Sequence, residues 1–84
     1  MSSTRDRVDT AIGQGLSNAL PELGQPDRDA ALTSDIGLDS VQIMNLVMEI
    51  EDELDISIPV DVLAETRTLN QLADRLTRMI DGDA

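Results

Sequence analysis

The chain has 84 residues, a formal net charge of −11, and no Phe, Tyr, Trp or Cys. Its length allows one domain with a core of Leu, Ile, Val, Met and Ala, and it leaves little room for an internal pocket. The absence of Cys excludes a disulfide framework and a thiol nucleophile, and the negative charge excludes nucleic acid and anionic membranes as natural partners and favours basic proteins.

The first predicted element is an amphipathic helix over about residues 4–20. Apolar residues recur along it four positions apart, at Val8, Ile12, Leu16 and Leu20. This spacing is typical of a helix with one buried face, and Pro21 ends it because proline cannot continue a helix. Residues 21–38 contain several Pro and Gly residues without a sustained apolar period, so we expect a long ordered loop that Ile36 and Leu38 attach to the core.

The second helix is predicted over about residues 40–54. Asp39 is its expected N-cap, and Gln42 is placed to complete a capping box. Successive residues of a helix are rotated by about 100°, and on this basis one apolar face of the helix is predicted to enter the core. Its members are Ile43, Leu46, Val47, Ile50 and Leu54.

A second apolar stripe lies on another side of the same helix. Val41, Met44 and Met48 fall in this sector, beside Ser40. One interpretation is that the last helix or the long loop covers the stripe. The other is a docking surface, because methionine adapts its shape to different partners and nearby acids would steer basic proteins towards it. The acids concerned are Glu49, Glu51 and Asp52, each of which also fits ordinary helix-surface charge.

Two further helices are predicted after Pro59. A short one covers about residues 60–65, and a last one covers about residues 69–80, with Thr68 and Gln71 in a second capping-box pattern. The predicted buried stripe of the last helix is Leu69, Leu72, Ala73, Leu76, Met79 and Ile80. The sequence therefore predicts an all-α fold: a small four-helix bundle, formed by a single domain over residues 1–84, with a long loop between helices 1 and 2 and a short helix 3.

Ser40 is the residue with the strongest chemical context. It falls in the first turn of the second helix, where free backbone amides and the positive end of the helix dipole favour a phosphate. Gly37 allows the preceding loop to turn, Leu38 anchors it, and Asp39 caps the helix. The other interpretation is that this serine only helps to start the helix, as serine often does.

The sequence around Ser40 resembles the acyl carrier protein family. Gly37-Leu38-Asp39-Ser40-Val41 precedes an acidic helix, with Ile58-Pro59 and Thr68-Leu69 after it. In the family, Asp-Ser-Leu at the start of helix 2 marks the serine that receives 4′-phosphopantetheine from coenzyme A. The resemblance implies a non-catalytic carrier that holds acyl or ketide groups as thioesters on an arm attached to Ser40.

The resemblance also implies partners. These are a phosphopantetheinyl transferase and basic-patched enzymes such as acyltransferases and ketosynthases of fatty acid, polyketide or related biosynthesis. Positions that usually bear acids in the family are Gln42 and Asn45 here, and Val41 replaces the usual leucine. These departures indicate a specialised pathway rather than housekeeping fatty acid synthesis. We further expect a monomer in the cytoplasm, since the chain lacks Cys and its first residues form no apolar run.

Several other functions compete with the carrier. An enzyme is disfavoured because the sequence has no His, Cys, Lys or Tyr to act as base or nucleophile. A calcium loop is disfavoured because the nearest approach, Asp27 and Asp29, lacks the required glycine. A non-covalent acidic interaction module remains open. So does a peptidyl or aminoacyl carrier, although those proteins more often have Gly-Gly where this chain has Ile36-Gly37.

Overall fold

The computed structural model describes residues 3–82 and is built from helices. The elements are α1 (Thr4–Ala19), a 3-10 turn (Pro21–Leu23), α2 (Ser40–Leu54), α3 (Val60–Glu65) and α4 (Leu69–Asp81). The predicted all-α bundle, with its long first loop and short third helix, is confirmed. Of the helices within residues 3–82, none combines the length and apolarity needed to cross a membrane.

Local hydrogen bonds define where the helices begin. Ser3 caps α1 by accepting a hydrogen bond from the N–H of Asp6, whose side chain accepts one from Ser3 N–H in return. Thr68 caps α4 as predicted, with its hydroxyl accepting from Gln71 N–H at 3.1 Å. The second capping box is wrong in one respect, because Gln71 Oε1 accepts from Arg67 N–H rather than from Thr68 N–H. The Gln71 side chain therefore orders the residue before the cap.

The core lies between α1, α2 and α4, with α1 packed against both of the others. Its most deeply buried large side chains are Val8, Ile12, Leu46, Ile50, Leu69, Leu72 and Leu76. Gly15 lies where α1 approaches α2, and a Cβ there would be 3.1 Å from Leu46 Cδ1 and 3.2 Å from Ile50 Cγ1. The missing side chain thus allows close helix packing. Met79, predicted as buried, is 38% exposed because it lies at the edge of the α4 stripe.

An ionic network connects the first part of the long loop to α1 and α4. Arg28 Nη1 lies 3.2 Å from Asp9 Oδ1, and the carbonyl of Arg28 accepts a hydrogen bond from Asn70 N–H at 3.0 Å. Arg5 donates to Asp9 and also pairs with Asp74 on α4. The hydrogen bond to Asp9 is the main cause of a raised pKa at Arg5. A cation whose pKa is raised on folding gives stability that is lost only as pH rises through that pKa. The contribution of Arg5 is therefore fully present at neutral pH.

The second part of the loop is attached to the connection between α3 and α4. Ala31 forms an isolated antiparallel bridge with Thr68, and Leu32 N–H donates to the carbonyl of Arg67 at 2.9 Å. Leu38 N–H then donates to the carbonyl of Leu32 at 2.9 Å, and the Leu38 side chain is buried. These contacts fix the chain immediately before α2, and therefore fix the position of Ser40.

Candidate functional site

The start of α2 is held by a complete capping box. Asp39 Oδ1 accepts from Gln42 N–H at 2.8 Å, and Gln42 Oε1 accepts from Asp39 N–H at 3.0 Å. Gly37 adopts a φ of 85°, a left-handed conformation that glycine reaches without strain and that turns the loop into the helix. Gln42, which differs from the acid that the family resemblance led us to expect, is therefore used to shape the helix end.

Ser40 is the first residue of α2 and is exposed to solvent. Asp39 accepts from the amides of Gln42 and Ile43, whereas Ser40 N–H and Val41 N–H have no partner among the hydrogen bonds of residues 3–82. Free amides and the helix dipole stabilise negative charge at this end of a helix. An exposed hydroxyl beside them fits a phosphodiester, because the attached phosphate would meet N–H donors rather than buried carbon.

The second apolar stripe of α2 is open to solvent. Val41 is 67% exposed, Met44 is 51% exposed and Met48 is 58% exposed. The interpretation that α4 or the loop covers the stripe is therefore wrong for the described part of the chain. Large apolar side chains that remain in water at neighbouring positions of one helix are typical of a surface that binds a partner.

The three acids predicted to flank this stripe have different surroundings. Asp52 is exposed on the outer side of α2, whereas Glu49 is half-buried near α1. Glu51 Oε2 accepts a hydrogen bond from Ile58 N–H at 2.6 Å, so this carboxylate holds the turn that follows α2. Asp52 is thus the acid of the three with the most freedom to meet a partner.

A cavity of about 220 Å³ lies on the other side of α2, towards the long loop and α3. Its lining residues are Ala31, Leu32, Thr33, Ser34, Ile43, Leu46, Val47, Leu63, Thr66, Arg67 and Leu72. We expected little room for an internal pocket, and this expectation is wrong. At 1.5 Å per residue, α3 is about 9 Å long and α2 about 22 Å, so α3 cannot cover the whole of α2. The short helix predicted after Pro59 was the signal in the sequence for this opening.

The structure offers no competing metal centre. Within residues 3–82, no group of three or more His, Cys, Asp or Glu side chains is arranged to hold a metal ion. The acids of α2 face different surroundings, as the hydrogen bond of Glu51 to Ile58 illustrates. The site therefore consists of an exposed serine at a helix start, an exposed apolar stripe on one side of it and an apolar cavity on the other.

Comparisons with known proteins show which family the chain resembles. The family model described as "Phosphopantetheine attachment site" matches residues 14–76. A "Probable acyl carrier protein" of Caulobacter vibrioides is 33% identical over 73 residues, covering 87% of this chain and 85% of the relative. The acyl carrier protein of Guillardia theta is 31% identical over 75 residues, covering 89% of each chain. That of Tropheryma whipplei is 31% identical over 75 residues, covering 88% of this chain and 92% of the relative.

These matches extend over most of the chain and include the α2 start. The chain belongs to the acyl carrier protein family, whose members carry acyl groups on 4′-phosphopantetheine and are not catalysts.

Proposed function

We propose that Ser40 is the attachment residue for 4′-phosphopantetheine, and that the chain carries acyl or ketide intermediates of fatty acid, polyketide or related biosynthesis as thioesters. The observation that carries the proposal is the position of the Ser40 hydroxyl. It is exposed at the first residue of α2, beside two free amides and next to an exposed apolar stripe.

The other serines of residues 3–82 are exposed but lack these surroundings. Ser34 lies on the cavity wall, Ser17 is near the end of α1, and Ser57 is in the turn before α3. These three are outside the start of a helix, so no helix dipole stabilises a phosphate there. Ser3 does lie at the start of α1, but its hydroxyl accepts a hydrogen bond from Asp6 N–H at 3.1 Å, and the Asp6 carboxylate beside it would repel a phosphate. Exposure alone therefore does not distinguish Ser40. Its place at a helix start that has no acid in the first turn, beside an exposed apolar stripe, does.

The composition of the chain also supports a carrier that depends on an attached group. A thioester requires a thiol, and the sequence contains no Cys. The 4′-phosphopantetheine arm supplies that thiol when it is bound. The protein contributes the exposed hydroxyl, the helix start that tolerates the phosphate, and the surfaces around them.

Intact-mass measurement tests the attachment residue. The chain is incubated with coenzyme A, Mg²⁺ and a phosphopantetheinyl transferase, together with the variants Ser40→Ala and Ser34→Ala. We expect one phosphopantetheine addition to the natural chain and to Ser34→Ala, and none to Ser40→Ala. Circular dichroism of each variant confirms that the helices are intact.

Addition to Ser40→Ala would show that another residue is used. No addition to the folded natural chain by transferases of differing specificity would favour the runner-up, a non-covalent acidic interaction module that uses the exposed α2 stripe directly. Loading of an amino acid in preference to an acyl group would favour a peptidyl or aminoacyl carrier.

The exposed stripe of α2 is proposed as the surface that meets partner enzymes. Val41, Met44 and Met48 supply apolar contact beside Ser40, and Asp52 with Glu49 and Glu51 would attract basic patches such as those expected on the transferase, acyltransferases or ketosynthases. This surface lies on the arm-bearing helix itself. A partner that docks there would therefore reach the arm without opening the bundle.

Transferase kinetics test this surface with a matched pair of methionines. Met44→Glu places a charge in the stripe, whereas Met79→Glu places the same charge on an exposed methionine of α4. We expect kcat/KM for arm transfer to fall at least tenfold for Met44→Glu and to stay within about twofold for Met79→Glu, since an apolar contact is lost only in the first. Equal effects would remove the stripe from the proposed surface.

The pathway and location follow as narrower predictions. Asn45 and Val41, both exposed on α2, differ from the residues usual in the family and favour partners of a specialised pathway. We expect the protein to act as a monomer in the cytoplasm. Affinity purification of the arm-loaded protein, followed by mass spectrometry of bound enzymes, would identify the pathway.

A further inference from the structure

We propose that Arg67 makes the α2 cavity selective for short acyl groups that carry an acceptor oxygen, either a ketone or a carboxylate, beyond the thioester. The inference rests on the proposed attachment of the arm at Ser40, from which the attached acyl group would reach the cavity. The occupant of the cavity is thus defined by one chemical feature, an oxygen able to accept hydrogen bonds from a guanidinium group.

The cavity has an apolar interior and a polar edge. Apolar walls come from Leu32, Ile43, Leu46, Val47, Leu63 and Leu72. The polar lining residues are Thr33, Ser34, Thr66 and Arg67, which lie in the loop and in the connection before α4. Thr66 donates its hydroxyl to the carbonyl of Val62 at 2.7 Å, which reduces its availability to a ligand. Arg67 is therefore the strongest donor on the edge.

Arg67 is fixed through its backbone while its side chain remains unpaired. Its carbonyl accepts from Leu32 N–H at 2.9 Å, and its N–H donates to Gln71 Oε1 at 2.8 Å. Ion pairs occupy Arg5, Arg28 and Arg75. Among residues 3–82, no carboxylate lies within 4.0 Å of the Arg67 guanidinium. Arg7 and Arg78 also have no ion pair within residues 3–82, but of these three arginines Arg67 is the one that lines this cavity.

The size of the cavity limits the occupant. Its volume of about 220 Å³ is far larger than a water site and smaller than the roughly 300–1,000 Å³ of drug-sized pockets. A short acyl chain matches that range. A ketone or carboxylate taken into an apolar space without a hydrogen bond loses free energy, and a guanidinium donor offsets that loss. Plain aliphatic chains gain nothing from such a donor.

The test compares three acyl groups of equal chain length: hexanoyl, oxohexanoyl and adipoyl. Each is loaded on the natural chain, on Arg67→Gln and on the control Arg78→Gln, an exposed arginine of α4 that also lacks an ion pair within the described residues. Intact mass confirms loading. Amide NMR shifts of Leu32, Val47 and Leu63, measured relative to the unloaded arm-bearing form, report occupancy of the cavity.

We expect the oxohexanoyl and adipoyl groups to shift these amides in the natural chain and in Arg78→Gln. In Arg67→Gln the shifts should shrink at least threefold, whereas shifts caused by hexanoyl should be equal in all three proteins. Arg67→Lys should restore a large part of the adipoyl response, because the positive charge returns.

The outcomes separate the two proposals. Absence of loading at Ser40 would refute the proposed function before any shift is measured. The role of Arg67 would be refuted if loading is normal and the amide shifts are the same in Arg67→Gln as in the natural chain. It would also be refuted if Arg67→Gln reduces the shifts caused by hexanoyl as much as those caused by the oxygenated groups. A response of adipoyl alone would support the charge of Arg67 as the selective feature, and a response of both oxygenated groups would support hydrogen bonding.

Discussion

The two sides of α2 differ in how completely they are packed. Towards α1, Gly15 lets the helices approach closely, and Ile50 is completely buried. Towards α3 and the loop, Ile43 is only half-buried and lines the cavity of about 220 Å³. The same helix thus has one filled interface and one open interface.

This difference shows how a small carrier can be rigid and adaptable together. The filled side sets the position of α2 and therefore of Ser40, while the ion pair of Asp9 with Arg28 attaches the long loop to α1. The open side retains space because α3 is short. We infer that stability is concentrated on the α1 side, and that variation in the attached group is accommodated on the α3 side.

The largest expected effect is a loss of stability, and it should differ between two isoleucines of α2. Ile50→Ala should lower the free energy of unfolding by about 3–4 kcal/mol, because it empties a filled interface. Ile43→Ala should cost about 1–2 kcal/mol, since its side chain is only partly buried and already borders empty space. Urea denaturation of both variants measures the difference. Equal losses would contradict the contrast between the two sides of α2.

A second, smaller effect concerns the glycines of α1. Gly13→Ala should stabilise the protein by about 0.5–1 kcal/mol through helix propensity, since a new Cβ there would meet only Arg28 Nη2 at 3.8 Å. At Gly15 the new Cβ would crowd Leu46 and Ile50, so Gly15→Ala should gain nothing or lose stability. Thermal melts should place Gly13→Ala above the natural chain and Gly15→Ala at or below it. An increase in Tm for both variants would mean that the α1–α2 interface has room for an added methyl group.

The smallest effect contrasts a paired acid with an unpaired one. Asp9→Asn should destabilise the protein by about 0.5 kcal/mol, because it weakens the contacts with Arg5 and Arg28. Asp52→Asn should stabilise it by a few tenths of a kcal/mol, because Asp52 lies three residues from both Glu49 and Asp55 on the helix side that bears no cation.

Both effects should become smaller as salt rises, since exposed charges are screened. The natural chain, with its excess of acids, should itself melt at a higher temperature in moderate salt than in low salt. Melting temperatures of all three proteins across a salt series test this account. A flat response, or the same sign for both variants, would contradict it.

The sequence alone determined the helices, the cap of α2 and the two apolar faces of that helix. These features depend on local spacing: Asp39 and Gln42 are three residues apart, and the 100° turn per residue separates Met44 and Met48 from Ile50. The position of Ser40 at the first turn follows from the same local rules, so its candidacy was evident before any packing was known.

Only the tertiary structure decided which residues each face meets. Gly15 is unremarkable in a helix until α2 lies against it, and Arg67 becomes a cavity residue only because the loop pairs Ala31 with Thr68. Glu51 and Asp52 look alike in sequence, yet one carboxylate accepts a hydrogen bond from Ile58 and the other lies in water. Periodicity sets the direction in which a side chain leaves its helix. What it touches there depends on segments distant in the chain.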